Sequence, residues 1–269
     1  MLHEGVNMKR FINDIKKYKN YILYATKSEL KNEIIDSYLG WIWLILEPLC
    51  FMFIYMFIAQ VIFKSKVEYF PVFIFIGLTV WNFFSKTVSA SVKLVKANRD
   101  TVTKVYLPKF ILLFVKMGVS LFKMAVSFLL VIIFMIIYQI PITWNILWFL
   151  PLIIVAIVLT FGVSAIVMHF GVFASDLSNI VTILLRMTFY MTGVFYDLNT
   201  KVHNPVYRTL LLDFNPLANI IFNLRSILIY SREPVLLWTL IWFFIGIGLS
   251  VIGIRTIYKY ENTYVKVMK

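Results

Sequence analysis

The sequence predicts an all-α integral membrane protein. It has six transmembrane helices, an N-terminal amphipathic interface helix and re-entrant helices before the last span. Three observations carry this reading. Of 269 residues, 61% are hydrophobic and only 14% are charged, where a soluble domain carries about 25% charged residues. The apolar residues stand in long blocks, several of them reaching the roughly 20 residues that cross a hydrocarbon core. The formal charge of +13 is concentrated between those blocks, as loops held on the inner side of a membrane require.

The segment 1–38 is polar and basic. It lacks the apolar core of about 7–15 residues that a secretory signal needs, so insertion rests on the spans themselves. Ile15, Tyr18 and Ile22, then Leu30 and Ile34, recur at helical spacing. They predict a helix lying in the interface with its lysines toward water; a plain basic tail is the alternative. A single transmembrane domain then occupies 39–255. Its spans fall at about 41–63, 70–92, 110–138, 146–173, 180–195 and 235–254, and a tail follows at 256–269.

Lysine and arginine give the orientation. The leading segment, the loop after the second span (Lys93, Lys96, Arg99, Lys104, Lys109) and the tail hold most of them. With six spans these three segments share one side, so both termini are cytoplasmic. The smaller set, Lys64, Lys66, Lys201, Arg208, Arg225 and Arg232, falls on the other side.

The loop LVKANRDTVTKVYLPK at 94–109 is therefore a cytoplasmic elbow. Asn98 or Asp100 is placed to cap a short helix through TVTKVY, and Pro108 suits the start of the third span. Such a helix would pass a push from a soluble partner into the bilayer; an ordinary positive-inside loop is the simpler account. The region 196–234 holds apolar patches too short to span, broken at Asn204-Pro205 and Asn215-Pro216. Patches of that length suit re-entrant helices buried in protein, with a globular external loop as the alternative.

Charge inside the apolar phase demands a reason. Lys109, Lys116 and Lys123 are seven apart, as are Lys86 and Lys93, so each set lies on one helix face. Snorkelling explains Lys93 and Lys109. Lys86, Lys116 and Lys123 lie deeper, and with Arg186 they are candidates to face a hydrated path and guide an anionic headgroup. Glu47, followed by Pro48, either meets a basic partner, faces water or stays protonated. Tyr190 and Tyr196, flanking the end of the fifth span, are the aromatic candidates for substrate contact. The tryptophans at 41, 43, 81, 144, 148, 238 and 242 read as an interfacial belt.

Other classes lose ground. No GxxxxGK[ST] loop occurs, so ATP is not bound by that device. His3, His169 and His203 form no metal-ligand spacing, and Cys50 is alone. Asp197, His203 and Asp213 are the only loose candidates for a membrane-embedded transferase, and their spacing specifies nothing.

Four stretches together resemble a known family: SYLGWIWLILEP at 37–48, FPVFIFIGLTVWNFFSKTVSASVKLVKANRDTVTKVYLPK at 70–109, MTGVFYDL at 191–198 and FNPLANIIFNLRSILI at 214–229. The chain looks like the membrane (permease) subunit of bacterial ABC-2 type exporters for O-antigen, capsule or teichoic acid. The resemblance implies a dimer of this chain with two copies of a separate ATPase, which binds ATP and Mg and docks on Asn98, Arg99, Asp100, Thr101, Lys104 and Tyr106. It implies no catalysis by this chain, no nucleic acid partner and an undecaprenyl-diphosphate-linked glycan as substrate among the membrane lipids of a bacterial inner membrane. Asp176, Asn215, Pro216 and Arg225, with Glu47, are expected as structural polar positions. The family's arginine before Asp176 is replaced here by Ser175. Two alternatives stay open: the transferase, and a permease for a small lipid or drug.

Overall fold

The computed structural model describes residues 8–35, 40–62 and 67–267. Every regular element among them is helical. Helix α1 spans Met8–Ile35. A 3₁₀ turn, Gly40–Ile42, leads into α2, Trp43–Phe57, which carries Pro48 inside it and passes into a π-helical turn, Ile58–Ile62. Then come α3, Phe70–Ala97; α4, Arg99–Lys104; and α5, Lys109–Ile137. After a 3₁₀ turn, Trp144–Trp148, follow α6, Phe149–Phe173, and α7, Leu177–Met191. Three short helices, α8 (Leu198–Lys201), α9 (Pro205–Asp213) and α10 (Pro216–Leu228), precede α11, Leu236–Val267. The expectations for Lys64, Lys66, the end of the first span and the two ends of the chain lie outside the described residues.

Among the described residues, five helical segments are long and apolar enough to cross a membrane: Trp43–Val61, Phe70–Ala97, Lys109–Ile137, Trp144–Phe173 and Leu236–Tyr264. The expected fifth span is α7, at 15 residues. That is about 22 Å of helix, short of a hydrocarbon core of about 30 Å.

Helix α3 is the axis of the bundle. It is buried over most of its length against α5, α6 and α2, whereas α2 is largely exposed. Trp81, expected in an interfacial belt, is buried halfway along α3 and packs on Phe189 at 5.2 Å. The most extensive pair is α6 with α11. A Cβ on Gly162 would sit 2.8 Å from Leu249 Cβ and 2.9 Å from the Gly246 carbonyl; one on Gly253 would sit 2.6 Å from Ala165 Cβ. Small residues let these backbones approach closely, which is how helices associate where lipid is as apolar as leucine.

Several boundaries differ from expectation. Helix α3 continues to Ala97 because Leu94 and Val95 are buried at helical spacing, so the first residues of the elbow belong to a span. The segment 256–269, expected as a tail, continues α11 through Val267, since Ile257, Tyr258 and Tyr264 remain buried. The region 196–234 is broken at its Asn-Pro pairs as expected. Asn204 and Asn215 each accept backbone N–H groups at the start of α9 and α10, and a proline fills the first helical position of each. Asparagine and proline are suited to those two positions.

Candidate functional site

The elbow is a short helix held at both ends. Contrary to expectation, neither Asn98 nor Asp100 caps α4 with its side chain; Asn98 Nδ2 instead donates to the Leu94 carbonyl at 2.8 Å and so closes the end of α3. Helix α4 stops at Lys104, short of Tyr106, because Val105 is extended. Val102 and Leu107 are buried, while Arg99, Asp100, Thr101 and Lys104 point outward. Pro108 stands at the N-cap of α5.

Tyr106 ties this corner to both ends of the chain. Its hydroxyl accepts from Arg10 Nη2 at 2.8 Å and donates to Glu261 at 3.3 Å. Arg10 also lies 3.4 Å from Glu261 and over the Tyr258 ring at 4.6 Å. The Tyr258 hydroxyl donates to Asp14 at 2.6 Å. Desolvation, then the Glu261 carboxylate, holds the Tyr106 phenol above its usual pKa. It therefore stays protonated and keeps its donor. Helix α1, the elbow and α11 thus meet in one polar cluster.

A second assembly lies deeper. Lys86, Lys116 and Lys123 all line one cavity of about 630 Å³, shared with Asn82, Ser85 and Ser120. Each lysine meets a carboxylate. Lys86 Nζ is 2.7 Å from Glu47; Lys116 Nζ is 2.6 Å from Glu29 and 3.8 Å from Glu33; Lys123 Nζ is 2.5 Å from Glu33. For Glu47 the geometry selects the basic partner. All of these side chains stay 22–48% exposed, so none of the pairs is sealed inside the bundle.

Arg186 is exposed on α7 and stands outside this cavity's lining. Tyr190 and Tyr196 also lie away from it and come together elsewhere. The Tyr196 hydroxyl donates to the Tyr190 carbonyl at 2.7 Å, and both rings pack on Phe195, with Tyr55 stacked at 5.7 Å. Asp176 occupies the N-cap of α7 without a side-chain cap bond and is exposed.

At the end of the bundle opposite the elbow, Arg225 is buried and donates to the carbonyls of Phe73, Gly193 and Val194 at 3.0, 2.9 and 2.6 Å. It fastens α10 to α3 and to the turn after α7. Asn215 adds a bond from Nδ2 to Thr192 at 3.1 Å, and Pro216 starts α10. A cavity of about 870 Å³ beside them is lined by Asp197, His203, Lys201 and Tyr230. Asp213 stands outside that lining, so two of the three loose transferase candidates share it.

Sequence reasoning missed Glu29, Glu33, Arg10 and Glu261 as partners. It also missed Asn219, Asn223 and Thr239, which bond one another between α10 and α11 at 2.7 and 2.8 Å. Glu29 and Glu33 carried a signal: carboxylates four apart present one helix face to lysines seven apart.

Comparison with known proteins agrees with this arrangement. The description of the ABC-2 type transporter family matches residues 21–229. An O-antigen export system permease protein RfbA of Myxococcus xanthus is 27% identical over 227 residues, covering 84% of this chain and 87% of the relative. An O-antigen export system permease protein RfbA of Klebsiella pneumoniae is 24% identical over 253 residues, covering 92% and 94%. A second so-named Klebsiella pneumoniae protein is 23% identical over the same length. The helices, the elbow and the family match converge: this chain is a multi-pass membrane protein that belongs to the ABC-2 type transporter family.

Proposed function

We propose that this chain is the permease subunit of an ATP-driven exporter in the bacterial inner or plasma membrane. Its substrate is an undecaprenyl-diphosphate-linked polysaccharide or teichoic-acid-type polymer, moved from the cytoplasmic to the outer side. Two copies form the path, and two copies of a separate ATPase bind ATP and Mg. Both termini and the elbow face the cytoplasm, α7 with the turn after it makes the fifth of six crossings, and α9 and α10 are re-entrant. The positive charge serves topology and an anionic substrate, not nucleic acid.

The observation that carries this reading is the elbow. It is a helix of six residues, joined at both ends to spanning helices, with its outer residues unencumbered and its inner ones buried. A partner pressing on Arg99, Asp100, Thr101 and Lys104 therefore moves α3 and α5 together. ATP binding by the partner favours one arrangement of the spans over the other, and that differential affinity is the source of coupling. The lysine cavity supports an anionic headgroup, with the lipid tails left in the bilayer.

The test is copurification. The chain is expected to retain a nucleotide hydrolase whose activity rises with lipid-linked glycan, and to lose it when 98–105 is replaced by a glycine–serine linker. Cysteine labelling that finds position 101 outside the cell would end the proposal, as would a chain that never binds a hydrolase.

A further inference from the structure

The lysine cavity is neutralised from within, and the way it is neutralised points to how it is loaded. Glu33 uses its two oxygens separately: Oε1 toward Lys116 at 3.8 Å and Oε2 toward Lys123 at 2.5 Å. One bidentate anion thus bridges two cations on successive double turns of α5. Glu29 adds a second anion on Lys116 at 2.6 Å. Both carboxylates come from α1, a helix outside the spanning set. Its C-terminal half also packs on α5. Thr26 donates to the Val115 carbonyl at 3.4 Å and lies against Gly118, and Leu30 is buried. Lys31 and Asn32 are exposed. The cavity wall also carries hydroxyl and amide groups, Asn82, Ser85, Ser89, Ser120 and Ser127, set among apolar side chains.

We propose that Glu29 and Glu33 are built-in counter-anions occupying a diphosphate site, and that an arriving isoprenyl diphosphate displaces them from Lys116 and Lys123. This rests on the exporter reading above. A diphosphate offers two linked anionic groups, as Glu29 and Glu33 do together, with more charge and more acceptor oxygens for the serine and asparagine donors. The pairs are only partly buried, so a ligand carrying more charge than one carboxylate is able to replace them on the lysines. Displacement releases the C-terminal half of α1 from α5. Loading the site and moving the interface helix are then one event.

The test uses the full-length chain in nanodiscs of neutral phosphatidylcholine, with farnesyl diphosphate as probe and a spin-label pair on Lys31→Cys and a position near the middle of α5. The probe is expected to lengthen the α1–α5 distance. The Glu29→Gln/Glu33→Gln double variant is expected to bind it about tenfold tighter, and Lys116→Gln/Lys123→Gln to lose binding. The charge swap Glu33→Lys/Lys123→Glu keeps the pair and guards against misfolding. It is expected to remain thermally stable yet fail to bind probe. A purely structural pair gives the opposite pattern: glutamine variants that bind no tighter, or a swap that restores binding, overturn the proposal. Equal competition by phosphatidylglycerol would make the ligand an ordinary phospholipid and overturn the diphosphate assignment. The exporter reading fails separately, by the absence of a copurified hydrolase, since probe binding is read on this chain alone.

Discussion

Two polar regions of this bundle are built on opposite principles. Around Arg225 each of the three guanidinium nitrogens donates to a fixed backbone carbonyl, and the guanidinium is sealed from solvent. Around Lys116 and Lys123 the partners are carboxylates on a separate helix, and both sides of each pair are only partly buried. A buried cation cannot change partners without a large desolvation penalty. A half-exposed one can, because water replaces whatever leaves. The first region is therefore a fastening, and the second is where our proposal has anions exchange. Placing both in one membrane protein separates the residues that hold the fold from those free to act.

The comparison can be broken most directly at Arg225. Arg225→Ala strands three carbonyls and is expected to cost more than about 3 kcal/mol, read as loss of folded protein in the membrane and a lower unfolding midpoint in detergent. Arg225→Lys is expected not to rescue it, since a point-like ammonium cannot reproduce the planar fork. Next in size is Gly162→Leu at the α6–α11 contact. The new side chain meets Leu249 and the Gly246 carbonyl and should cost about 1–3 kcal/mol by overpacking, measured in the same unfolding assay. Asn223→Ala, which removes a buried partner of Thr239 and of the Val235 N–H at 2.8 Å, is expected to cost about 1–3 kcal/mol.

The open region should answer differently. Glu47→Gln, Lys86→Gln and their double variant form a cycle whose coupling energy is expected below about 1 kcal/mol, with the unfolding midpoint nearly unmoved. A coupling of several kcal/mol would place this pair with the fastenings and erase the distinction drawn above.

The sequence disclosed five of its six expected spans as long apolar helices because apolar blocks reflect a solvent, and the solvent acts on every residue of a block. It disclosed the Asn-Pro breaks because capping is local. It disclosed that Lys116 and Lys123 share one face of α5 because periodicity is local too. It did not disclose that Lys116 meets Glu29, eighty-seven positions away, since a pairing across helices depends on how those helices cross. Trp81 shows the same limit: belt position follows from distance to a span end, whereas burial follows from α3 lying at the centre. Asn219 and Asn223 were readable as polar positions in an apolar helix, but their partner Thr239 lies beyond a loop whose course no spacing rule fixes.

Helix α11 has one further consequence. Glu261 near one end meets Tyr106 of the elbow, and Thr239 near the other meets Asn219 and Asn223 of α10. The helix runs unbroken between them, about 33 Å, with no proline in the interval. One uninterrupted helix therefore carries contacts to the elbow at one end of the bundle and to α10 at the other, so a displacement of either contact loads the same rod.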